Sequence, residues 1–390
     1  MKCNAYSRLK VLHLVSGDLW AGAETMACNL LRRLKDKEDL NLSVILLNEG
    51  RLSDELKSIG LTVHVVDENF NSFWEIFRKT REIIGSISPD IIHSHRYKEN
   101  LLAILISGYC RKIRLVSTQH GLPECHEDKP GINQRLKTQT NFWALSRFFT
   151  TVAVSEDIHN VLVSRFGFRK EKVEVIHNGI ELPPFPLATR DKPGPFVIGS
   201  SGRLFPIKDY PLMVEIARAV AATGTEDVRF ELAGDGPERP ALEALVQRYG
   251  LNAGFILKGH QDDMGSFYQG LDIYINTSVH EGIPMTILEA LAHGLPVIAP
   301  EVGGIVEIIE EGKEGFLING RTPGDFAEKC LFLKDNRQER DRIARAAREK
   351  AERVFSADGM AERYYRLYRR IAASVQVQYG SKSAIFNRVQ

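Results

Sequence analysis

Glu281 and Glu289 stand eight positions apart in the run His280-Glu281-Gly282-Ile283-Pro284-Met285-Thr286-Ile287-Leu288-Glu289. The pattern reads as an acid at the end of a strand, a short Gly/Pro turn, and a helix start carrying a second acid. Backbone N–H groups at such a start have no intrahelical acceptor, so an anion can be held there without a metal. The bare spacing is common by chance, with one acid in a turn and one on a helix surface, so its meaning depends on its surroundings. Gly202-Arg203-Leu204 follows a strand pattern, with Lys208 in the next loop. A guanidinium fork beside an ammonium point charge suits a diphosphate, although two basic residues also make an ordinary solvated loop.

In the first half, residues 17–24 (Gly-Asp-Leu-Trp-Ala-Gly-Ala-Glu) join the first strand pattern to the first helix pattern, and this glycine-bearing loop could let a phosphate approach the backbone. The loop is not G-x-G-x-x-G, which weakens a dinucleotide reading. His93, His95 and His120 fall at neighbouring strand ends. A zinc site would call for a further carboxylate or thiolate at a clear spacing; neither is evident, so no metal is expected. Gly234-Asp235-Gly236-Pro237 and Gly303-Gly304 read as backbone turns, and the acids of Asp262-Asp263 as helix caps.

These residues need a frame that brings strand ends together. Val/Ile/Leu-rich runs at 11–16, 41–47, 61–66, 91–95, 115–119 and 151–155 alternate with helical patterns such as 24–34 and 73–86. Prolines across 182–195 interrupt the rhythm, and it resumes at 196–201, 228–234, 255–259, 272–276, 296–299 and 315–318. Short apolar runs alternating with helices signify parallel sheets covered on both faces. The expected fold class is α/β: two doubly wound Rossmann-like domains facing across a cleft, residues 1–188 and 189–355. Ligands in such sheets bind outside the carboxyl ends of the strands, where the motifs above fall. Tyr364, Tyr365 and Tyr368 in a final helical pattern at 356–372 read as a packed stripe, and 373–390 as a poorly ordered polar tail.

The chain has 390 residues, 43% of them hydrophobic, enough for two cores. A net charge of +1 argues against general nucleic-acid binding. Five scattered cysteines (Cys3, Cys28, Cys110, Cys125, Cys330) suggest neither a disulfide framework nor a zinc site, and favour a reducing cytoplasm. The opening residues lack a signal-peptide run, and no stretch reaches the roughly 18–20 apolar residues that span a bilayer. Basic and aromatic residues mix at Arg111-Lys112-Ile113-Arg114 and at Arg135, Lys137, Phe142, Trp143, Arg147, Phe148 and Phe149. They read either as a surface for an anionic membrane or lipid-linked molecule, or as a solvated turn and a half-buried helix.

Taken in order, Ala21-Gly22-Ala23-Glu24, His120-Gly121, Asn178-Gly179-Ile180, Gly202-Arg203, Lys208, Glu281-x7-Glu289 and Gly303-Gly304 resemble the retaining glycosyltransferases of family 4, with the two-domain GT-B fold, over essentially the whole chain. Two positions depart from the family pattern: Ala21 where Gly is usual and His177 where Pro is usual. The resemblance implies that Glu289 holds the ribose hydroxyls of a nucleotide-sugar donor and that Arg203 and Lys208 neutralise its pyrophosphate. It places Glu281 by the donor sugar, the backbone at Gly282, Ile283, Pro284 and Met285 on sugar and phosphate, Gly22 near the phosphate, and His120 near the transferred sugar. His95 is a further possible acceptor or sugar contact. The C-terminal helix commonly packs back onto the first domain in this fold. The implied activity is metal-independent, retaining transfer, without cofactor, from a UDP-, GDP- or ADP-sugar to a glycan or lipid-linked acceptor, in surface polysaccharide or lipid-linked glycan assembly. It would take place in the cytoplasm, with peripheral contact to the inner-membrane surface. A sugar-nucleotide 2-epimerase or a noncatalytic sugar-nucleotide scaffold would share the fold.

Overall fold

The computed structural model describes residues 8–17, 20–109, 113–121, 132–184 and 194–386; at 132–135, 137 and 375–386 it describes backbone alone. The expected linker falls largely outside these residues, as do residues 18–19 of the first glycine-bearing loop.

The chain divides into two compact units, Met1–Gly179 with Ala357–Gln390, and Ile180–Ser356. The division falls ahead of the expected 188/189 boundary for a local reason. Ile180 N–H donates to Phe355 O at 2.7 Å and pairs with Ser356, so both crossing strands of the chain join the second unit together. Gly179 is held in the first unit, where its carbonyl accepts from Asn29 Nδ2 at 3.1 Å.

The first unit holds a seven-stranded, all-parallel sheet of β1 (Leu9–Val15), β2 (Leu40–Leu46), β3 (Thr62–Val65), β4 (Ile91–Ser94), β5 (Arg114–Gln119), β6 (Thr150–Ala153) and β7 (Val173–Val175). The strand order is 3-2-1-4-5-6-7, reversing between β1 and β4, whose register pairs His13 with His93. The edge strand β7 escapes a sequence reading because Val-Glu-Val is three residues long. From Val11 onward β1 is buried on both faces, which explains its apolar run there with one polar interruption, His13.

The second unit holds β8 (Phe196–Ser201), β9 (Val228–Ala233), β10 (Phe255–Gly259), β11 (Ile273–Ile275), β12 (Val297–Pro300) and β13 (Gly315–Ile318). Its parallel order, 10-9-8-11-12-13, reverses between β8 and β11. Leu204, Met213, Ile216, Leu232, Ile273, Ile298 and Phe326 fill its core, each fully buried aliphatic or Phe side chain contributing about 1.5–3 kcal/mol.

The helix Ala357–Phe386 packs against the helix Gly22–Leu34 of the first unit. Its buried residues Met360, Tyr364, Leu367, Tyr368 and Ile371 recur at helical spacing. Lys37–Glu362 at 2.9 Å and Arg369–Asp39 at 3.0 Å pin its rim. Tyr365 turns outward and donates to Asp39 Oδ2 at 2.8 Å. The expected break at 373 does not occur: helix continues to Phe386, since no proline interrupts 373–386 and the first glycine is Gly380.

Candidate functional site: a charged and a neutral strand-end cluster

In the second unit the candidate residues gather at the strand-order reversal, beyond the carboxyl ends of β8 and β11. Glu281 lies in the loop after β11 rather than at the strand end. Asn276 Oδ1 accepts from Ser278 N at 3.0 Å and turns the chain before the acid is reached. Lys208, at the end of a short turn after β8, donates to Glu281 Oε1 at 2.5 Å, and Ser278 Oγ donates to the same oxygen at 2.6 Å. The sequence placed this lysine and this acid on separate parts of a ligand, whereas the structure brings them into direct contact. Arg203 stands apart, exposed, with its guanidinium 5.0 Å from the Phe205 ring.

Two residues not singled out from the sequence hold this loop. Arg321 donates to the carbonyls of Ser278 at 2.6 Å and Thr277 at 2.7 Å, and to Asp209 Oδ2 at 2.5 Å. Arg321 and Asp209 both have left-handed backbones, with φ of +55° and +46°. Strain of this kind persists only where surrounding contacts fix it, and it concentrates at functional sites. Gly303 (φ +49°) closes the other side: its amide-linked neighbour Gly304 donates to Glu281 O at 3.0 Å, and a Cβ at 303 would lie 2.2 Å from that oxygen.

The helix Met285–Ala292 begins at Pro284, which has no N–H, and no side chain caps it. Pro284 O accepts from Ile287 and Leu288. Gly282, Ile283, Pro284 and Met285 are all buried in the turn before and into this helix. Glu289 sits in the second turn, not at the helix start; its Oε2 accepts from Tyr268 Oη at 2.6 Å. Burial pushes the Glu289 carboxyl up to about 7, against the opposing hydrogen bond from Tyr268. Tyr268 also lies 2.9 Å from Ser201 Oγ and stacks on His293 at 5.1 Å. Asp263 caps its helix as expected, accepting from Ser266 N at 3.0 Å.

In the first unit the residues gather at the β1/β4 reversal. Gly22 is exposed at the first position of the helix Gly22–Leu34. Two positions on, the fully buried Glu24 pairs with Arg96 at 2.6 Å. His95 Nδ1 lies 3.1 Å from His120 Nε2, and His95 Nε2 lies 3.2 Å from His13 Nδ1. His93, which the sequence grouped with them, bonds instead to Thr118 Oγ1 at 2.8 Å and Tyr368 Oη at 2.6 Å. Burial lowers all four histidines: His13 and His120 to about 3, His93 and His95 well below their ordinary value. The rings are therefore neutral at pH 7. His13, His93 and His95 offer ring nitrogens within 4.8 Å of one another, a spacing a metal ion could bridge. All six of those nitrogens already have hydrogen-bond partners in the protein, and no carboxylate or thiolate joins the group among the described residues. His13 left one signal in the sequence, a lone imidazole in the apolar run 11–15 of a central strand.

Of the basic and aromatic stretch, Phe142 and Phe148 are core residues, while Trp143 is 52% exposed with Arg147 4.0 Å over its ring. Arg111 and Lys112, and the side chains of Arg135 and Lys137, lie outside the described residues. Among the described residues no helix is long and apolar enough to cross a membrane.

Two family models match successive parts of the chain: Glycosyltransferase Family 4 over residues 20–182, and Glycosyl transferases group 1 over residues 188–350. The chain belongs to glycosyltransferase family 4, with the GT-B fold. Among similar family members, the N,N'-diacetylbacillosaminyl-diphospho-undecaprenol alpha-1,3-N-acetylgalactosaminyltransferase of Campylobacter jejuni is 25% identical over 377 residues, 89% of this chain and 95% of that protein. The UDP-Gal:alpha-D-GlcNAc-diphosphoundecaprenol alpha-1,3-galactosyltransferase of Escherichia coli is 22% identical over 359 residues, 86% of this chain and 90% of that protein. The Anabaena Alr3699/HepE structure in complex with UDP and glucose shares the fold, with a TM-score of 0.81 at 21% identity, over 92% of this chain and 99% of that one. Within this glycosyltransferase, one cluster is built of opposed charges and the other of neutral rings.

Proposed function

We propose that this glycosyltransferase moves a sugar from a UDP-sugar to a hydroxyl of a lipid-diphosphate-linked glycan, with retention of anomeric configuration and without a metal. The observation that carries this reading is the Lys208–Glu281–Ser278 group at the β8/β11 strand ends, with Glu289 eight residues on. UDP as the nucleotide is supported by the UDP complexes of structural relatives, and the acceptor class by the diphospho-undecaprenol substrates named for two sequence relatives.

In this reading Glu289 accepts hydrogen bonds from the ribose hydroxyls. Departure of the nucleoside diphosphate builds negative charge on its β-phosphate, which Arg203, Lys208 and the amides around Gly282 to Met285 offset. An ammonium has three donors, so Lys208 can keep Glu281 while reaching a phosphate oxygen. Glu281, held by Lys208 and Ser278, favours the positive charge that develops at the anomeric carbon. Gly22 lets the phosphate approach its helix start, and His120, backed by His95, contacts the transferred sugar. The acceptor hydroxyl enters on the face the phosphate leaves, and a phosphate oxygen takes its proton. The exposed Trp143 and Arg147 offer a peripheral contact for the membrane that carries the acceptor.

The test is turnover with UDP-sugars and a polyprenyl-diphosphate-linked acceptor in the presence of chelator, with the product anomer read by NMR. Acceptor-dependent UDP release with an α-linked product is expected. Epimerised sugar nucleotide without acceptor, or donor binding with no turnover on any acceptor, would contradict it.

A further inference from the structure

We propose that the Tyr368 hydroxyl, on the C-terminal helix, sets the tautomer of His120 through a single file of hydrogen bonds via His13 and His95, so that His120 presents Nδ1 as an unprotonated acceptor. The file is continuous. His120 Nε2 lies 3.1 Å from His95 Nδ1, His95 Nε2 3.2 Å from His13 Nδ1, and His13 Nε2 3.3 Å from Tyr368 Oη. Beyond Tyr368 it continues to His93 Nδ1 at 2.6 Å, from His93 Nε2 to Thr118 at 2.8 Å, and from Thr118 to Tyr364 at 2.8 Å.

A neutral imidazole carries one N–H and one lone pair. Each ring therefore passes on the direction of the bond it receives, so the three histidine rings leading from His120 to Tyr368 have only two self-consistent states. In one state every ring hydrogen points from His120 towards Tyr368; in the other all are reversed. The shortest link chooses between them. At 2.6 Å the Tyr368–His93 contact is shorter than an N–H···O bond, about 2.7–3.2 Å, and suits a hydroxyl donor. Tyr368 then donates to His93 Nδ1 and accepts from His13 Nε2–H. His13 Nδ1 is bare and accepts from His95 Nε2–H, and His95 Nδ1 accepts from His120 Nε2–H. His120 Nδ1 is left with a lone pair and has no hydrogen-bond partner among the described residues. On the other branch His93 Nε2–H donates to Thr118 Oγ1, which shares a further hydrogen bond with Tyr364 Oη.

Tyr368 is thus a positioning residue acting through two intervening rings. Held in this state, His120 can accept a hydrogen bond from a hydroxyl and cannot act as a proton donor through Nδ1. That the hydroxyl belongs to the transferred sugar rests on the function proposed above; the tautomer does not.

The experiment is long-range 1H–15N correlation on the full chain labelled with 15N-histidine, with His120 assigned from the signals lost in His120→Gln. The expected spectrum shows an unprotonated, pyridine-type His120 Nδ1 and a protonated Nε2. Tyr368→Phe should bring both His120 nitrogens to intermediate shifts, while Tyr364→Phe, on the far branch, leaves them unchanged. A protonated Nδ1 in the parent protein, or His120 signals indifferent to Tyr368→Phe, would overturn the proposal. In turnover assays Tyr368→Phe should lower kcat roughly three- to tenfold with the donor KM unchanged. A shifted tautomer with unchanged kcat would support the file and count against the sugar contact.

Discussion

The two strand-end clusters use the same topology for opposite electrostatics. In each unit the parallel order reverses beside the first strand, leaving a crevice at the carboxyl ends. In the second unit that crevice is furnished with Lys208, Glu281, Asp209, Arg321 and Glu289. In the first it is furnished with histidines that burial keeps neutral, beside the ion pair of Arg96 with Glu24. Charge that moves during a reaction is met by fixed charge and dipoles, whereas a neutral hydroxylated group needs only oriented donors and acceptors. The lesson is that a doubly wound sheet supplies the place and the strand-end residues choose the chemistry.

The contrast should show first in turnover. Glu281→Ala leaves Lys208 and Ser278 without their shared acceptor and should cost a hundredfold or more in kcat, at the scale of removing one preorganised electrostatic group. His120→Ala should also act mainly on kcat, but with a smaller loss. Equal, small losses for both would erase the distinction.

Next comes the loop that carries Glu281. Gly303→Ala places a Cβ 2.2 Å from Glu281 O on a left-handed backbone, and Arg321→Ala removes the donors that hold Thr277 and Ser278. Each should lower kcat by about tenfold or more while circular dichroism remains that of a folded protein. Full activity in either variant would mean that the loop holds its shape without them.

The units should also respond to pH in opposite directions. Glu289 has its pKa raised from 4.5 to about 7, so the folded state holds a proton that the unfolded state has released. The associated stability is present below about pH 4.5 and is lost as pH rises through about 7. Glu289→Gln does not titrate, so its melting temperature relative to the parent should rise between pH 5 and pH 8. In the first unit the lowered histidines do the reverse. The unfolded chain takes protons the folded one refuses, so their contribution is present above about pH 6.5 and is lost on acidification towards about 3. Hydrogen exchange at pH 5 should therefore open β1 and β4 before β8 and β11; the reverse order would contradict the assignment of buried neutral rings.

Much of this was legible in the residues. Buried parallel strands announce themselves as apolar runs, and the spacing of Glu281 and Glu289 survives because one loop and one helix carry both. What the sequence hid were partners brought in by the sheet from far along the chain. Arg321 reaches back more than forty residues to Thr277, and Tyr268 meets Glu289 from the preceding helix. His13 was concealed inside a strand whose pattern speaks only of burial. Tyr364 and Tyr368 read correctly as a packed stripe, yet periodicity cannot say that their hydroxyls end on Thr118 and His93. The short edge strand β7 and the helix beyond residue 372 were missed because local pattern is weakest at edges and ends.

The most direct test of the division between charged and neutral clusters is calorimetry of UDP binding, without added metal, to the parent protein, Glu289→Ala and His120→Ala. The expected result is comparable UDP affinity for the parent and His120→Ala, with a loss of about tenfold or more in Glu289→Ala. Undiminished binding in Glu289→Ala, or a loss confined to His120→Ala, would contradict the assignment of the nucleotide to the second unit.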